Sequence, residues 1–121
     1  MSTVLLIEDS LTETEMLTRY LQQAGLSVIS AKSGEEAQAR LSWQKPDLIV
    51  LDVILPGQSG FELCREFKTN QATSKIPIVM CSTKNTDVDK MWGNMLGADA
   101  YLPKPVNQQE FLQTVTRLMG R

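Results

Sequence analysis

Five short apolar runs, separated by amphipathic stretches, constrain this chain more than any other feature. The runs are Val4-Leu5-Leu6-Ile7, Ser27-Val28-Ile29-Ser30, Leu48-Ile49-Val50-Leu51, Ile78-Val79-Met80-Cys81 and Ala100-Tyr101-Leu102. Three of them are apolar at successive positions instead of alternating, the pattern of strands covered on both faces of a parallel sheet. The stretches between them carry helical spacing. Leu17, Tyr20, Leu21 and Ala24 follow i, i+3, i+4, i+7, and Gly25 then stops the helix. Leu63, Cys64 and Phe67 form a shorter stripe, and Phe111, Leu112, Val115, Leu118 and Met119 close the chain. Val88, Met91, Trp92 and Met95 repeat the first spacing. We read this fourth stripe mainly as core, with about two of Met91, Trp92 and Met95 facing inward and the remainder free for a partner.

The helix starts are marked as well. Ser10-Leu11-Thr12-Glu13, Ser33-Gly34-Glu35-Glu36 and Ser59-Gly60-Phe61-Glu62 each match S-x-x-E, in which Ser and Glu satisfy two orphan N–H groups reciprocally; Asn107-Gln108-Gln109-Glu110 is a close variant. Five strands alternating with five helices through short connections require right-handed βαβ units. The expected fold class is therefore α/β, a (βα)5, doubly wound five-stranded parallel sheet; its strand order, 2-1-3-4-5, is expected by likeness to the flavodoxin-type fold. The second and fifth strands form its edges, and one domain spans 1–121.

Composition narrows the function. The 121 residues are 42% hydrophobic, enough for one core. Twelve basic residues against 14 acidic ones, a net of −2, provide no basic field for nucleic acid. The longest apolar run is too short to insert in a membrane. The N-terminus lacks an export signal, and the isolated Cys64 and Cys81 suit a reduced compartment, so a cytoplasmic protein is expected. Histidine is absent, which removes every Ser-His, Cys-His and zinc-His mechanism.

In a doubly wound sheet, function lies at the carboxyl ends of the strands. Glu8-Asp9 follows the first strand, Asp52 the third, Ser82-Thr83-Lys84 ends and follows the fourth, and Lys104-Pro105 follows the fifth. Three carboxylates brought together repel one another unless a cation joins them, and a hard divalent ion is the natural partner. A lysine ammonium adds a charge suited to phosphate. Metal, carboxylate and lysine together are the parts needed to move a phosphoryl group onto the carboxylate. A lone Asp after a strand is more often a turn residue or cap, and Glu8-Asp9 could simply place acid before a helix. Asp52 resists that reading, being a charge between Leu48-Ile49-Val50-Leu51 and Val53-Ile54-Leu55.

Glu8-Asp9, Asp52 with Leu55-Pro56-Gly57 and Gly60, Ser82, and Tyr101-Leu102-Pro103-Lys104-Pro105 resemble the receiver domain of two-component response regulators. The likeness covers essentially the whole chain and is nearest to stand-alone, CheY-like receivers. Asp87-Val88-Asp89-Lys90-Met91-Trp92-Gly93 with Lys104-Pro105-Val106 is similar to the short, PilH-like receivers of type IV pilus, chemotaxis-like systems. The resemblance implies that Asp52 is the phosphoacceptor, taking a phosphoryl group from a phosphohistidine of a CheA-like histidine kinase. It implies Mg2+ held by Asp9 and Asp52, with Glu8 acting through water and the backbone carbonyl of Ile54 completing the protein ligands. Lys104 would pair with the phosphoryl oxygens, its bond to Pro105 being cis. Ser82 would hydrogen-bond the phosphoryl group, although Thr83 beside it is also a candidate; counting from Pro77 favours Ser82. Tyr101 would swing inward and change the face formed by the fourth helix, fifth strand and fifth helix, to which a downstream protein binds.

The sequence departs from many receivers at Ile54, which is apolar two residues past Asp52, and at Lys84, which is basic two residues past Ser82. Both are expected to set the phosphoryl lifetime. The expected protein is a monomer or weak dimer with no effector domain and no enzymatic turnover beyond its own phosphorylation and autodephosphorylation. Within signalling, it could be an output messenger or a phosphate sink for a shared kinase. A flavodoxin-like cofactor carrier is disfavoured because Glu8-Asp9-Ser10 would repel an anion. An aspartyl phosphohydrolase is disfavoured because 121 residues leave little room for a substrate-enclosing cap.

Overall fold

The computed structural model describes residues 2–120; Met1 and Arg121, the ends of the expected domain, lie outside the described residues. In chain order the elements are β1 Thr3–Ile7, α1 Leu11–Gln23, β2 Ser27–Ala31, α2 Gly34–Leu41, β3 Leu48–Leu51, α3 Gly60–Thr69, β4 Ile78–Ser82, α4 Asp87–Met95, β5 Ala100–Pro103 and α5 Gln108–Leu118. All strand pairs are parallel, as the alternation of elements required, and their order is β2-β1-β3-β4-β5, as expected from the flavodoxin-like reading.

The three continuous apolar runs become the central strands. Every residue of β1, β3 and β4 is buried, whereas the edge strands β2 and β5 are partly exposed. Because side chains alternate across a strand, each central strand feeds two cores. Val4, Leu6, Leu48, Val50, Val79 and Cys81 pack on Leu17, Leu21, Phe111 and Val115 of α1 and α5. Leu5, Ile7, Ile49, Leu51, Ile78 and Met80 pack on Ala37, Leu63, Cys64 and Phe67 of α2 and α3.

The caps form on the Ser or Asn side of each motif, but the reciprocal Glu bond expected of the three S-x-x-E boxes is not formed at α1, α2 or α3. Ser10, Ser33, Ser59 and Asn107 each accept a hydrogen bond from the backbone N–H three residues on, at 3.3, 3.1, 3.2 and 2.9 Å. At α1 the N–H of Ser10 does not wait for Glu13; it donates to Glu8 Oε2 at 3.0 Å. A fully reciprocal box forms at α4, where Thr86 Oγ1 accepts from Asp89 N and Asp89 Oδ2 accepts from Thr86 N.

The apolar stripe of α4 is not core, contrary to the expectation from its spacing. Val88, Met91, Trp92 and Met95 are 69%, 57%, 49% and 69% exposed. The inward face carries Asp89 and Gly93 instead, roughly 120° around the helix at 3.6 residues per turn. Gly93 is what seats the helix this way. A Cβ there would lie 2.8 Å from Tyr101 Cδ2 and 3.1 Å from Met80 Sδ, so any side chain at this position would force Tyr101 or α4 to shift.

Candidate functional site

Glu8, Asp52 and Lys104 each stand just beyond a strand end, and the backbone N–H of each is fixed by the neighbouring strand. Glu8 N donates to Ala31 O at 2.9 Å, Asp52 N to Ile7 O at 3.1 Å, and Lys104 N to Ser82 O at 3.1 Å. The parallel ladder is thereby carried one residue past β1, β3 and β5. Three side chains far apart in sequence converge as a result. Gly60 brings the start of α3 equally close: its N–H donates to Val53 O at 2.8 Å. A Cβ on Gly60 would collide with the Asp52 carbonyl oxygen and lie 2.7 Å from Val53 Cα.

Glu8 and Asp52 are buried and Asp9 is exposed. One carboxylate oxygen from each falls within 4.8 Å of the others. The Lys104 ammonium, itself only 8% exposed, donates to Glu8 Oε1 and, at 2.9 Å, to Asp52 Oδ2. Asp52 Oδ1 accepts from the Ile54 N–H at 3.2 Å. Burial pushes the Glu8 carboxyl above the usual range; bonds from Lys104 and the Ser10 N–H oppose that, and the Asp52 charge adds to it. Burial disfavours the Lys104 ammonium, but its bonds to Glu8 and Asp52 and their charges outweigh this and hold its pKa above the ordinary value.

Three carboxylates closed on the protein side by one lysine, with Asp9 on the solvent side, form an all-oxygen donor set. That set suits a hard divalent cation that keeps some of its waters. The Lys104–Pro105 peptide is cis.

Ser82 is fully buried and its Oγ accepts from the Lys84 N–H at 3.2 Å, whereas Thr83 is exposed; the hydroxyl at the strand end is that of Ser82. The Tyr101 ring packs beside Gly93 and the second core, with its hydroxyl donating to the Lys84 carbonyl. Burial, then the charges of Asp89 and Asp52, push its phenol up to about 12. The Ile54 side chain is 56% exposed next to Asp52. The second ammonium at this end, on Lys84, does not join the carboxylate cluster; it lies 3.2 Å from Asp89 Oδ1. Asp89 is the residue that sequence reasoning missed, and its signal was the T-x-x-D spacing from Thr86. Cys64 and Cys81 are free, buried thiols, pushed up to about 11 and 12 chiefly by burial.

A 2-1-3-4-5 parallel sheet whose central strands deliver acids to a lysine at their carboxyl ends defines a doubly wound domain built around an aspartyl site. Residues 4–116 match the family model described as "Response regulator receiver domain", and the chain belongs to that family. It is 35% identical to Protein PilH of Pseudomonas aeruginosa over 99% of both chains. It is 36% identical to the phosphate regulon transcriptional regulatory protein PhoB of the same organism, of which it spans 52%. Among solved structures, a putative response regulator from Chloroflexus aurantiacus superposes with a TM-score of 0.94 at 36% identity, covering 99% of this chain and 98% of that one. Chemotaxis protein CheY4 of Vibrio cholerae superposes at 0.90 with 33% identity, covering 98% of each.

Proposed function

We propose that this receiver is a phosphoryl-accepting switch, with Asp52 as the acceptor. One observation carries the reading: Asp52, buried at the end of the central strand β3, is held by Lys104 at 2.9 Å within a three-carboxylate cluster. In the transfer, an Asp52 carboxylate oxygen attacks the phosphorus of a phosphohistidine on a sensor kinase. The P–N bond breaks as the P–O bond forms, and the imidazole leaves with its electron pair and takes up a proton. In the reverse direction of signalling, water attacks the phosphorus, and phosphate leaves with Asp52 restored as carboxylate.

Lys104 orients Asp52 and pairs with the phosphoryl oxygens once they arrive. Ser82 offers a hydroxyl to the same group. Asp9 and Asp52, with Glu8 through water and the Ile54 carbonyl, would hold Mg2+, which supplies neutralising charge to the phosphoryl oxygens. Acquired phosphoryl charge biases Tyr101 and α4, the two-state element.

The proposed output contact is the α4–β5–α5 face; the exposure of Val88, Met91, Trp92 and Met95 on α4 supports it. That apolar face favours a messenger over a simple phosphate sink. The likeness to PilH supports a role in pilus-based motility or taxis, with a CheA-like kinase as donor. No helix among the described residues is long and apolar enough to cross a membrane.

The test is incubation with acetyl phosphate and Mg2+ followed by intact mass measurement. The expected result is a gain of one phosphoryl group in the wild type and none in Asp52→Asn. Continued turnover of phosphate esters without a retained group would overturn the reading.

A further inference from the structure

Lys84 connects three parts of the proposed switch. Its N–H donates to Ser82 Oγ, its carbonyl accepts from Tyr101, and its ammonium pairs with Asp89. The two charges are unequally exposed. The Lys84 side chain is 51% exposed, whereas that of Asp89 is 10% exposed. Asp89 is fixed where it is: its Oδ2 accepts from Thr86 N at 3.0 Å and Thr86 Oγ1 at 2.8 Å, closing the cap of α4. A largely buried carboxylate, fixed by Thr86, thus holds a half-exposed ammonium whose backbone adjoins the Ser82 hydroxyl.

We propose that Asp89 is a positioning residue that withholds the Lys84 ammonium from phosphoryl groups at Asp52 and thereby limits how readily this receiver is phosphorylated. The proposal rests on Asp52 being the phosphoacceptor. A lysine ammonium is a point charge on a flexible four-carbon stem with no fixed geometry to defend. Whichever anion is nearer and better placed takes it, and here Asp89 has the advantage of being immobilised by Thr86. Loss of the Asp89 charge removes that competitor and frees the ammonium to meet an anionic phosphodonor at the mouth of the site.

The experiment compares phosphorylation by acetyl phosphate with Mg2+ in wild type, Asp89→Asn, Lys84→Met and the double variant. Asn keeps an oxygen that can accept from Thr86 N, so the α4 cap survives. The expected result is an increase of about threefold in the second-order rate constant for Asp89→Asn at low ionic strength, the factor one unit charge about 6 Å from an anion contributes in water. The increase should shrink as salt rises through 0.1 M, and should be absent when Lys84 is Met. An unchanged rate in Asp89→Asn overturns the proposal, as does an equal increase with and without Lys84, which would show only the removal of a negative charge. Lower thermal stability with no salt-dependent gain marks a merely structural role and also overturns it. If the wild type takes no phosphoryl group, the Asp52 reading fails and the proposal with it; phosphorylation of the wild type with no Asp89 effect sinks the proposal alone.

Discussion

Lys104 and Asp52 meet with Nζ 2.9 Å from Oδ2, both side chains 8% exposed, and the same ammonium also holds Glu8. One cation therefore balances two buried carboxylates. Removal of one partner of a buried pair costs about 3 kcal/mol because the remaining charge is left uncompensated. Lys104→Ala is expected to lose about that much stability by urea denaturation in EDTA. The deficit should narrow in Mg2+, which supplies the missing positive charge.

Glu8 gives the metal dependence its sign. Its folded-state pKa is raised, so its contribution to stability is present below the unfolded value of 4.5 and is lost as pH rises through the higher folded value. At neutral pH without metal, Glu8 thus weakens the fold. Glu8→Gln is expected to raise the EDTA melting temperature and to diminish the further rise produced by Mg2+. In the wild type, Mg2+ at a hundredfold excess over its Kd should stabilise by about 2.7 kcal/mol. Bound carboxylates must be ionised, so Mg2+ affinity should fall as pH drops through the Glu8 titration. Calorimetric titrations across pH 5 to 8 check this.

Gly60→Ala tests how closely α3 must approach the acceptor strand. A methyl group there meets backbone, the Asp52 carbonyl and Val53 Cα, which cannot rotate away as a side chain can. The expected loss is about 3 kcal/mol, at the upper end of overpacking costs. Acetyl phosphate labelling should fall with it, because the Asp52 backbone must shift.

Ile54 projects from the loop beside Asp52 and is 56% exposed. An apolar side chain there offers no hydrogen bond to an attacking water. Ile54→Asn is expected to speed loss of the phosphoryl group several-fold, and Lys84→Glu to change the same rate. Autodephosphorylation followed after removal of the phosphodonor measures both. Unchanged rates in both variants would remove these residues from control of the lifetime.

The exposed face of α4 predicts a separation of stability from binding. Trp92→Ser and Met95→Ser are expected to change unfolding free energy by no more than ~0.5 kcal/mol, as surface substitutions do. Phe67→Ala, at 1% exposure in the second core, should cost about 4 kcal/mol. Capture of a phosphorylation-dependent partner should be lost in the α4 variants while phosphorylation itself persists.

The strand runs were legible because burial on both faces leaves no polar residue to interrupt them. Glu8, Asp9, Asp52, Ser82 and Lys104 could be placed at one end because a parallel sheet brings every carboxyl end to the same edge. Two readings needed more. The spacing Val88, Met91, Trp92, Met95 is that of a core helix, and nothing local distinguishes an apolar face turned to solvent from one turned inward. What decides it is Gly93, whose missing side chain accommodates Tyr101 and Met80 from two other elements. The α1 capping box was likewise altered from outside its motif, since Glu8 takes the Ser10 N–H.

The sequence by itself determined the elements, their parallel direction and the convergence of acids with a lysine at one sheet edge. These follow from periodicity, capping and chain direction, all local or topological properties. Only the tertiary structure decided which ammonium serves which carboxylate. Lys104 and Lys84 are the same residue type near the same sheet edge, yet one clasps Glu8 and Asp52 and the other is held by Asp89. The Lys104 pairing depends on distances of a few ångströms between segments remote in sequence, which exist only once the sheet has packed, whereas Lys84 is taken locally by the Asp89 that caps α4.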